Sequence, residues 1–518
     1  MTRAPLVLIS TLLALGCASV PEVSRPDLDV ATPPEWTGAT LSEGTVDPTW
    51  WESFGSPELN QTIQTALERN WDLRAAVARV RQAEAQARIA GADLKPGVNA
   101  TFDAARSKRN FIGLPIPGAP PGGVLSTTST TLGLSLAVSW EIDLWGRLGA
   151  RAGAGVADLQ AAQADLAGAH LSLAGQVAKT WFAAAEAAQQ VELARAQVES
   201  FQTTARQVRG RYEMGIRPAL DLRLALANLE GAEASLRARE EVLDAVVRQL
   251  ETLLGRYPGR QVETPTALPD TPPAVPGELP ADLVARRPDL ASAERRLAAA
   301  GARVRAAKKD LYPRISLTAS GGTSSAELGD LVKGDFGVWS LAGNLLQPIF
   351  QGGRLRAAVK LAEGAADERL AGYASSALNA YLEVETTLRA ETLLTEREAH
   401  LAEAARQSRA AERLADERYR AGLDTFVTVL ESQRRAFQAE TEWLVARQLR
   451  LANRVDLFLA LGGGFERDAE TGGPKVADGG GKGQVLHFAS ESPPRGRETQ
   501  DLTPTTPKTT ESEKESVR

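Results

Sequence analysis

The 518-residue chain predicts a mainly α protein with membrane β, in which long, closely packed helices are joined to amphipathic strands and the pattern is laid down twice. Three observations predict this class. Proline is absent from Gly146 to Arg217 and again from Ile349 to Gly473. The segment Leu132 to Leu144 alternates strictly between apolar and small or polar residues. Short motifs recur at fixed offsets along the chain.

Composition agrees with the first of these. Ala, Leu, Arg, Gln and Glu dominate long stretches and aromatics make up only 5%, which suits tightly packed helices better than a globular α/β core. A net charge of −6 and a pI near 5.5 offer no basic footprint for nucleic acid.

In chain order, Met1 to Gly16 reads as a signal peptide, with Arg3 as its positive start and Leu6 to Leu15 as its apolar run. That run is too short for an ordinary transmembrane helix. It ends at Leu13-Ala14-Leu15-Gly16-Cys17, which resembles a lipobox although Ala14, not Leu, stands three places before the cysteine. Cys17 is the one cysteine of the chain, so it is the expected lipidation site and the mature body forms no internal disulfide. Ala18 follows instead of Asp, which in Gram-negative sorting implies the outer membrane. No later segment approaches 18 uninterrupted apolar residues, so membrane crossing falls to β-strands.

The repeat decides the architecture. Asn70-Trp71-Asp72-Leu73 echoes Arg287-Pro288-Asp289-Leu290, and Asp93-Leu94-Lys95-Pro96 echoes Asp310-Leu311-Tyr312-Pro313, both at an offset of 217. Gly146-Arg147-Leu148 matches Gly353-Arg354-Leu355, and Arg211-Tyr212-x-x-Gly215 matches Arg418-Tyr419-x-x-Gly422, both at 207. The ten residues lost between the anchors are expected to come from the Pro- and Gly-rich loop Ile112 to Ser126. Each copy reads helix, strand, loop, strand, long helix, turn, helix.

In the alternating segment, Leu132, Leu134, Leu136, Val138, Trp140, Ile142 and Leu144 form one face, as a strand between lipid and water requires. Weaker strands are expected at Val98 to Arg106, Arg314 to Ser320 and Phe336 to Leu346. A helix of about 70 residues spans roughly 100 Å. Leu370, Tyr373, Ala377, Tyr381, Val384 and Leu388 form the expected packing seam of the second long helix. The turns are expected at Gly215-Ile216-Arg217-Pro218 and Gly422-Leu423-Asp424. Four strands per chain cannot close a membrane barrel; such barrels start at about eight strands, so the chain must oligomerise, and geometry leaves two or three copies open.

Several motifs carry a resemblance. Trp50-Trp51-x-x-Phe54-Gly55-Ser56-Pro57-x-Leu59, Asn70-Trp71-Asp72-Leu73, Ser139-Trp140-Glu141-Ile142-Asp143-Leu144-Trp145-Gly146-Arg147, the stretch Leu279 to Leu290 and the closing Ala460-Leu461-Gly462-Gly463-Gly464-Phe465 resemble the outer-membrane efflux proteins of the TolC superfamily. Within it they resemble the NodT/OprM-type lipoproteins that serve resistance-nodulation-division (RND) pumps. The resemblance covers residues 17 to 465. It implies a homotrimer: a 12-stranded outer-membrane barrel, continuous with a long periplasmic α-helical barrel and girdled by a mixed equatorial domain. It also implies a periplasmic adaptor and an inner-membrane RND pump as partners, and the outer-membrane lipid as surroundings.

By the same resemblance, Val427, Glu431 and Arg434 narrow the periplasmic mouth. They lie one helical turn or three residues apart, hence near one face. Three Glu431 carboxylates around one axis would repel unless offset by Arg434 or cations, and would favour cation passage. The hairpin tips Arg211, Tyr212, Gly215 and Arg418, Tyr419, Gly422 resemble the family's adaptor-docking surface. A glycine there is also expected simply for its positive φ at a helix end. Arg286 and Arg287 read as a pre-proline helix start, not a binding site.

The residues suggest no catalytic group, metal site or cofactor: His170, His400 and His487 are scattered, and the loop Gly479 to Gly483 lacks the Ser or Thr of a phosphate loop. The expected division is signal peptide 1–16, lipidated extended segment 17–56, first repeat 57–263, Pro-rich linker 264–285, second repeat 286–465 and disordered tail 466–518. The expected function is a passive, gated exit duct of an RND-type efflux system. The alternatives are a duct of a type I protein secretion system and a periplasmic helical scaffold without a pore, and the Leu132 to Leu144 alternation argues against the scaffold.

Overall fold

The computed structural model describes residues 33–34, 36–38, 44–111, 125–272, 274–276, 280 and 283–466. Cys17, the expected signal peptide, most of the loop after Phe111 and nearly all of the tail lie outside these. The first helices are α1, Pro57–Arg69, and α2, Trp71–Ala92. Ser56 caps α1 by accepting from the Leu59 amide, and Asn70 caps α2 by accepting from those of Asp72 and Leu73. Strands β1, Gly97–Phe111, and β2, Leu125–Ile142, lead into α3, Arg147–Glu213, and α4, Ala219–Leu253. The second half runs α5, Pro288–Lys309; β3, Arg314–Ser325; β4, Gly337–Leu346; α6, Arg354–Arg420; and α7, Phe426–Ala460. Helices α3 and α6 each have 67 residues, close to 100 Å at about 1.5 Å per residue.

The four strands form one antiparallel sheet in the order β1-β2-β3-β4, so β1 and β4 are its edges. Register sets which side chains share a face. Val98, Val138, Ala319 and Leu341 lie in one row across the sheet; Ala100, Leu136, Gly321 and Trp339 form the next. The opposite face carries the row Asn99, Ala137, Ser320 and Ser340 and the row Thr101, Ser135, Gly322 and Val338. Hydroxyls pair across it: Thr101 with Ser135 at 2.8 Å, Ser107 with Ser129 at 3.1 Å and Ser320 with Ser340 at 2.8 Å. One face is therefore apolar yet exposed, with Leu136 at 57%, Leu341 at 73% and Trp339 at 83%. The other is mainly polar and lined with hydroxyls, with Val338 as its exposed apolar member in β4. This is the division a membrane strand shows between hydrocarbon and an aqueous interior.

Two expectations about the strands are corrected. Strand β2 ends at Ile142, not Leu144, because Asp143 turns to accept from the amides of Leu148 and Gly149 at 3.0 and 2.7 Å and so starts α3. The shortening of the second copy lies in the strands themselves. β1 and β2 have 15 and 18 residues, against 12 and 10 in β3 and β4. The extra length of the first pair, Ser107 to Phe111 against Leu125 to Ser129, is paired only within that hairpin.

The main core lies where the helices cross the N-terminal segment. Trp50 stacks on Phe458 at 5.2 Å and Phe54 meets Phe182 at 5.1 Å between ring centres. All four rings are buried, each contributing about 1.5–3 kcal/mol by burial. Arg287 sits extended ahead of Pro288 at the start of α5. Its buried guanidinium donates to the Ala460 carbonyl at 3.0 Å and pairs with Glu383 at 2.7 Å, a structural role in keeping with the helix-start reading. Of the expected α6 seam, Tyr373, Ala377, Val384 and Leu388 are buried, Tyr381 is half-buried against the core and Leu370 is exposed; Ala380 is a further buried position of the same stripe. Among the described residues no helix is long and apolar enough to cross a membrane.

Candidate functional site

The two helical hairpins reverse at α3–α4 and α6–α7, and both turns are built alike. Gly215 has φ 74° and Gly422 φ 76°, the left-handed region that only glycine adopts without cost. Gly215 donates to the Tyr212 carbonyl and Ile216 to that of Arg211, each at 2.9 Å; Gly422 donates to Tyr419 at 3.0 Å and Leu423 to Arg418 at 2.9 Å. These paired bonds satisfy the last carbonyls of a helix whose end is exposed. The recurrence of Arg-Tyr-x-x-Gly therefore has a backbone cause, independent of any partner.

The side chains divide. Tyr212 is exposed, but Tyr419 is 3% exposed and packs with Val208, Ala225, Phe426 and Val429 between the two hairpins. Arg211 and Arg217 lie over its ring at 4.9 and 5.0 Å, so the first hairpin grips an aromatic of the second. Tyr419 belongs to the interior of the tip, contrary to its expected place on the outer surface. Arg418 reaches Asp424 at 3.3 Å, and around the tip Met214, Ile216, Leu220 and Leu423 are exposed apolar groups.

Above the second turn, α7 begins after Thr425, whose hydroxyl accepts from the Thr428 amide. Its buried side carries Phe426, Val429, Gln433, Ala436 and Phe437. The opposite side carries Val427, Glu431 and Arg434, as the 3.6-residue period requires. Glu431 pairs with Arg434 at 2.7 Å and equally with Arg435 at 2.7 Å. The Arg435 guanidinium first, then that of Arg434, holds the Glu431 carboxyl below its usual range. Arg435 was missed on sequence grounds, although its i+4 spacing from Glu431 was the available signal. A groove of about 590 Å³ between α6 and α7 is lined by Gln407, Ser408, Ala411, Val427, Thr428, Glu431, Ser432 and Arg435.

Among the described residues no group of three or more His, Cys, Asp or Glu is placed to hold a metal ion. The arrangement offers a charged, exposed helix face at a hairpin tip, and a sheet with one oily and one wet side. That combination suits conduction.

Comparison with known proteins matches this geometry. The model of the family described as "Outer membrane efflux protein" matches residues 62–256 and again 279–463. A pyoverdine export outer membrane protein of Pseudomonas putida, OpmQ, is 35% identical over 90% of this chain and 98% of its own. The outer membrane protein OprJ of Pseudomonas aeruginosa is 33% identical over 88% of this chain and 94% of its own. The solved outer-membrane channel OprN superposes with a TM-score of 0.77 at 28% identity, covering 86% of this chain and 99% of that one.

Proposed function

From the premise that this chain belongs to the outer membrane efflux protein family, with its TolC-like fold, we propose how it forms the duct. It is an outer-membrane efflux component, and the proposal concerns its assembly and gate. Three copies join edge to edge, β4 of one beside β1 of the next, and close a 12-stranded barrel over a conduit of α3, α4, α6 and α7. One observation carries this reading: a four-stranded sheet with an apolar exposed face, a hydroxyl face and two unpaired edges. Open edges cannot stand in hydrocarbon. Copies of the same sheet remove the edges by symmetry.

The helix pairs of matching length support two repeats per chain, divided as 57–263 and 286–465 about the linker 264–285. The hairpin tips, through Arg211, Tyr212, Gly215, Arg418 and Gly422, meet a periplasmic adaptor that couples the duct to an inner-membrane RND pump. Tyr419 supports that surface from within. Val427, Glu431 and Arg434 ring the mouth and hold it closed. Cys17 carries the lipid anchor after removal of residues 1–16. OpmQ is named for pyoverdine export and a further relative, TtgC, for toluene efflux; small molecules are accordingly the class of cargo proposed here.

The test is conductance. Purified full-length protein in planar bilayers shows small basal steps that rise severalfold in the double variant Glu431→Ala, Arg434→Ala. Equal conductance in the two proteins would remove these residues from the gate. Globomycin treatment of expressing cells leaves the unprocessed precursor to accumulate, and normal processing would remove the anchor.

A further inference from the structure

The exposed stripe of α7 carries more positive charge than the expected mouth residues supply. On a helix of 3.6 residues per turn, Arg434 lies about 60° to one side of Glu431 and Arg435 about 40° to the other. Glu431 receives both: its Oε2 accepts from Arg434 Nη2 at 2.7 Å and its Oε1 from Arg435 Nε at 2.7 Å. One carboxylate offsets one guanidinium, so a positive charge remains in the cluster of Glu431, Arg434 and Arg435.

Among the described residues neither arginine has a second carboxylate partner. The α6 side of the groove offers Gln407, Ser408 and Ala411, all uncharged. Elsewhere on the second hairpin Asp416 pairs with Arg420 at 2.7 Å and Asp424 with Arg418 at 3.3 Å, while Glu417, nearer the turn, and Glu442, about three turns further along α7, lie outside the Glu431 cluster. Both arginines beside Glu431 are well exposed, at 64% and 70% of their side chains, and so face whatever solution fills the mouth.

We propose that this mouth is an anion-selecting constriction, with Arg435 as the charge that sets the preference and small organic anions as the favoured cargo. The proposal rests on the duct reading above, since symmetry gathers one copy of the stripe from each chain around the axis. It reverses the sequence expectation, in which the Glu431 carboxylates favoured cations. Rings of guanidinium groups pass anions because each fixed charge lowers the local cost of the opposite ion.

The experiment is the reversal potential of the full-length protein in planar bilayers under a potassium chloride gradient. The wild type prefers chloride over potassium. Arg435→Gln lowers that permeability ratio, by about fivefold for one unit charge near the permeating ion, and Arg435→Lys restores it. Glu431→Gln raises it. A wild type that prefers potassium, or a ratio unmoved by Arg435→Gln, overturns the proposal while leaving the duct intact. Inserted protein that conducts in no variant, Glu431→Ala with Arg434→Ala included, overturns the duct reading and the selectivity together.

Discussion

At the scale of single residues, the tip is held by Tyr419 and tuned by Glu431. Tyr419 is buried and among the described residues its hydroxyl has no hydrogen-bond partner, and two guanidinium groups lie over its ring. Each such contact adds roughly 0.5–1 kcal/mol. Tyr419→Phe therefore keeps the tip intact, because no bond is lost. Tyr419→Ala costs about 3–5 kcal/mol locally and exposes residues 213–219 to limited proteolysis; equal cleavage in both variants would contradict this. For Glu431, the folded carboxyl lies below its ordinary value. The ion pairs are therefore complete above the unfolded value and lost as pH falls through the lower folded one. Between pH 5 and pH 8 the ion selectivity of the mouth stays constant. As pH falls below the ordinary carboxylate range, protonation of Glu431 frees both arginines and chloride preference rises, as reversal potentials measured against pH will show.

At the scale of elements, the long helices approach closely because their contact stripes are small. Ala154 and Ala157 of α3 meet Ala298, Ala299 and Ala302 of α5, and Cβ groups there leave no space for a larger side chain. Ala299→Leu is expected to destabilise by about 1–3 kcal/mol through overpacking. Ala404→Leu, on the exposed side of α6, stays within about 0.5 kcal/mol. Thermal denaturation in detergent followed by circular dichroism separates the two. The α6 seam was legible in its Tyr373, Ala377, Val384, Leu388 spacing, since a 3.6-residue period survives in sequence. Leu370 was misplaced because periodicity marks a stripe without saying where along the helix the neighbour ends.

At the scale of the whole molecule, the sheet is the part that cannot stand alone. Leu341 and Ser340 are adjacent in β4 yet occupy opposite faces. Leu341→Arg sets a charge on the lipid side and costs about 2–4 kcal/mol near the midplane. Ser340→Arg sets it in the aqueous interior. Outer-membrane fractionation and the oligomer band on unheated gels are expected to be lost in the first and kept in the second. Equal loss would contradict the assignment of the faces.

Local period and backbone chemistry are what the sequence determined by itself. Alternation marked the membrane strand, freedom from proline marked the long helices, and Gly215 and Gly422 marked the turns at which they reverse. The tertiary structure alone decided matters that depend on distant segments. Register across four strands assembled the apolar and hydroxyl faces, and Asp143 ended β2 by capping the following helix. Packing of one hairpin on the other buried Tyr419, which the repeat had made equivalent to the exposed Tyr212. The second arginine on Glu431 needed both: its spacing was written in the chain, but that Glu431 is its one acid partner among the described residues is a property of how the hairpins pack.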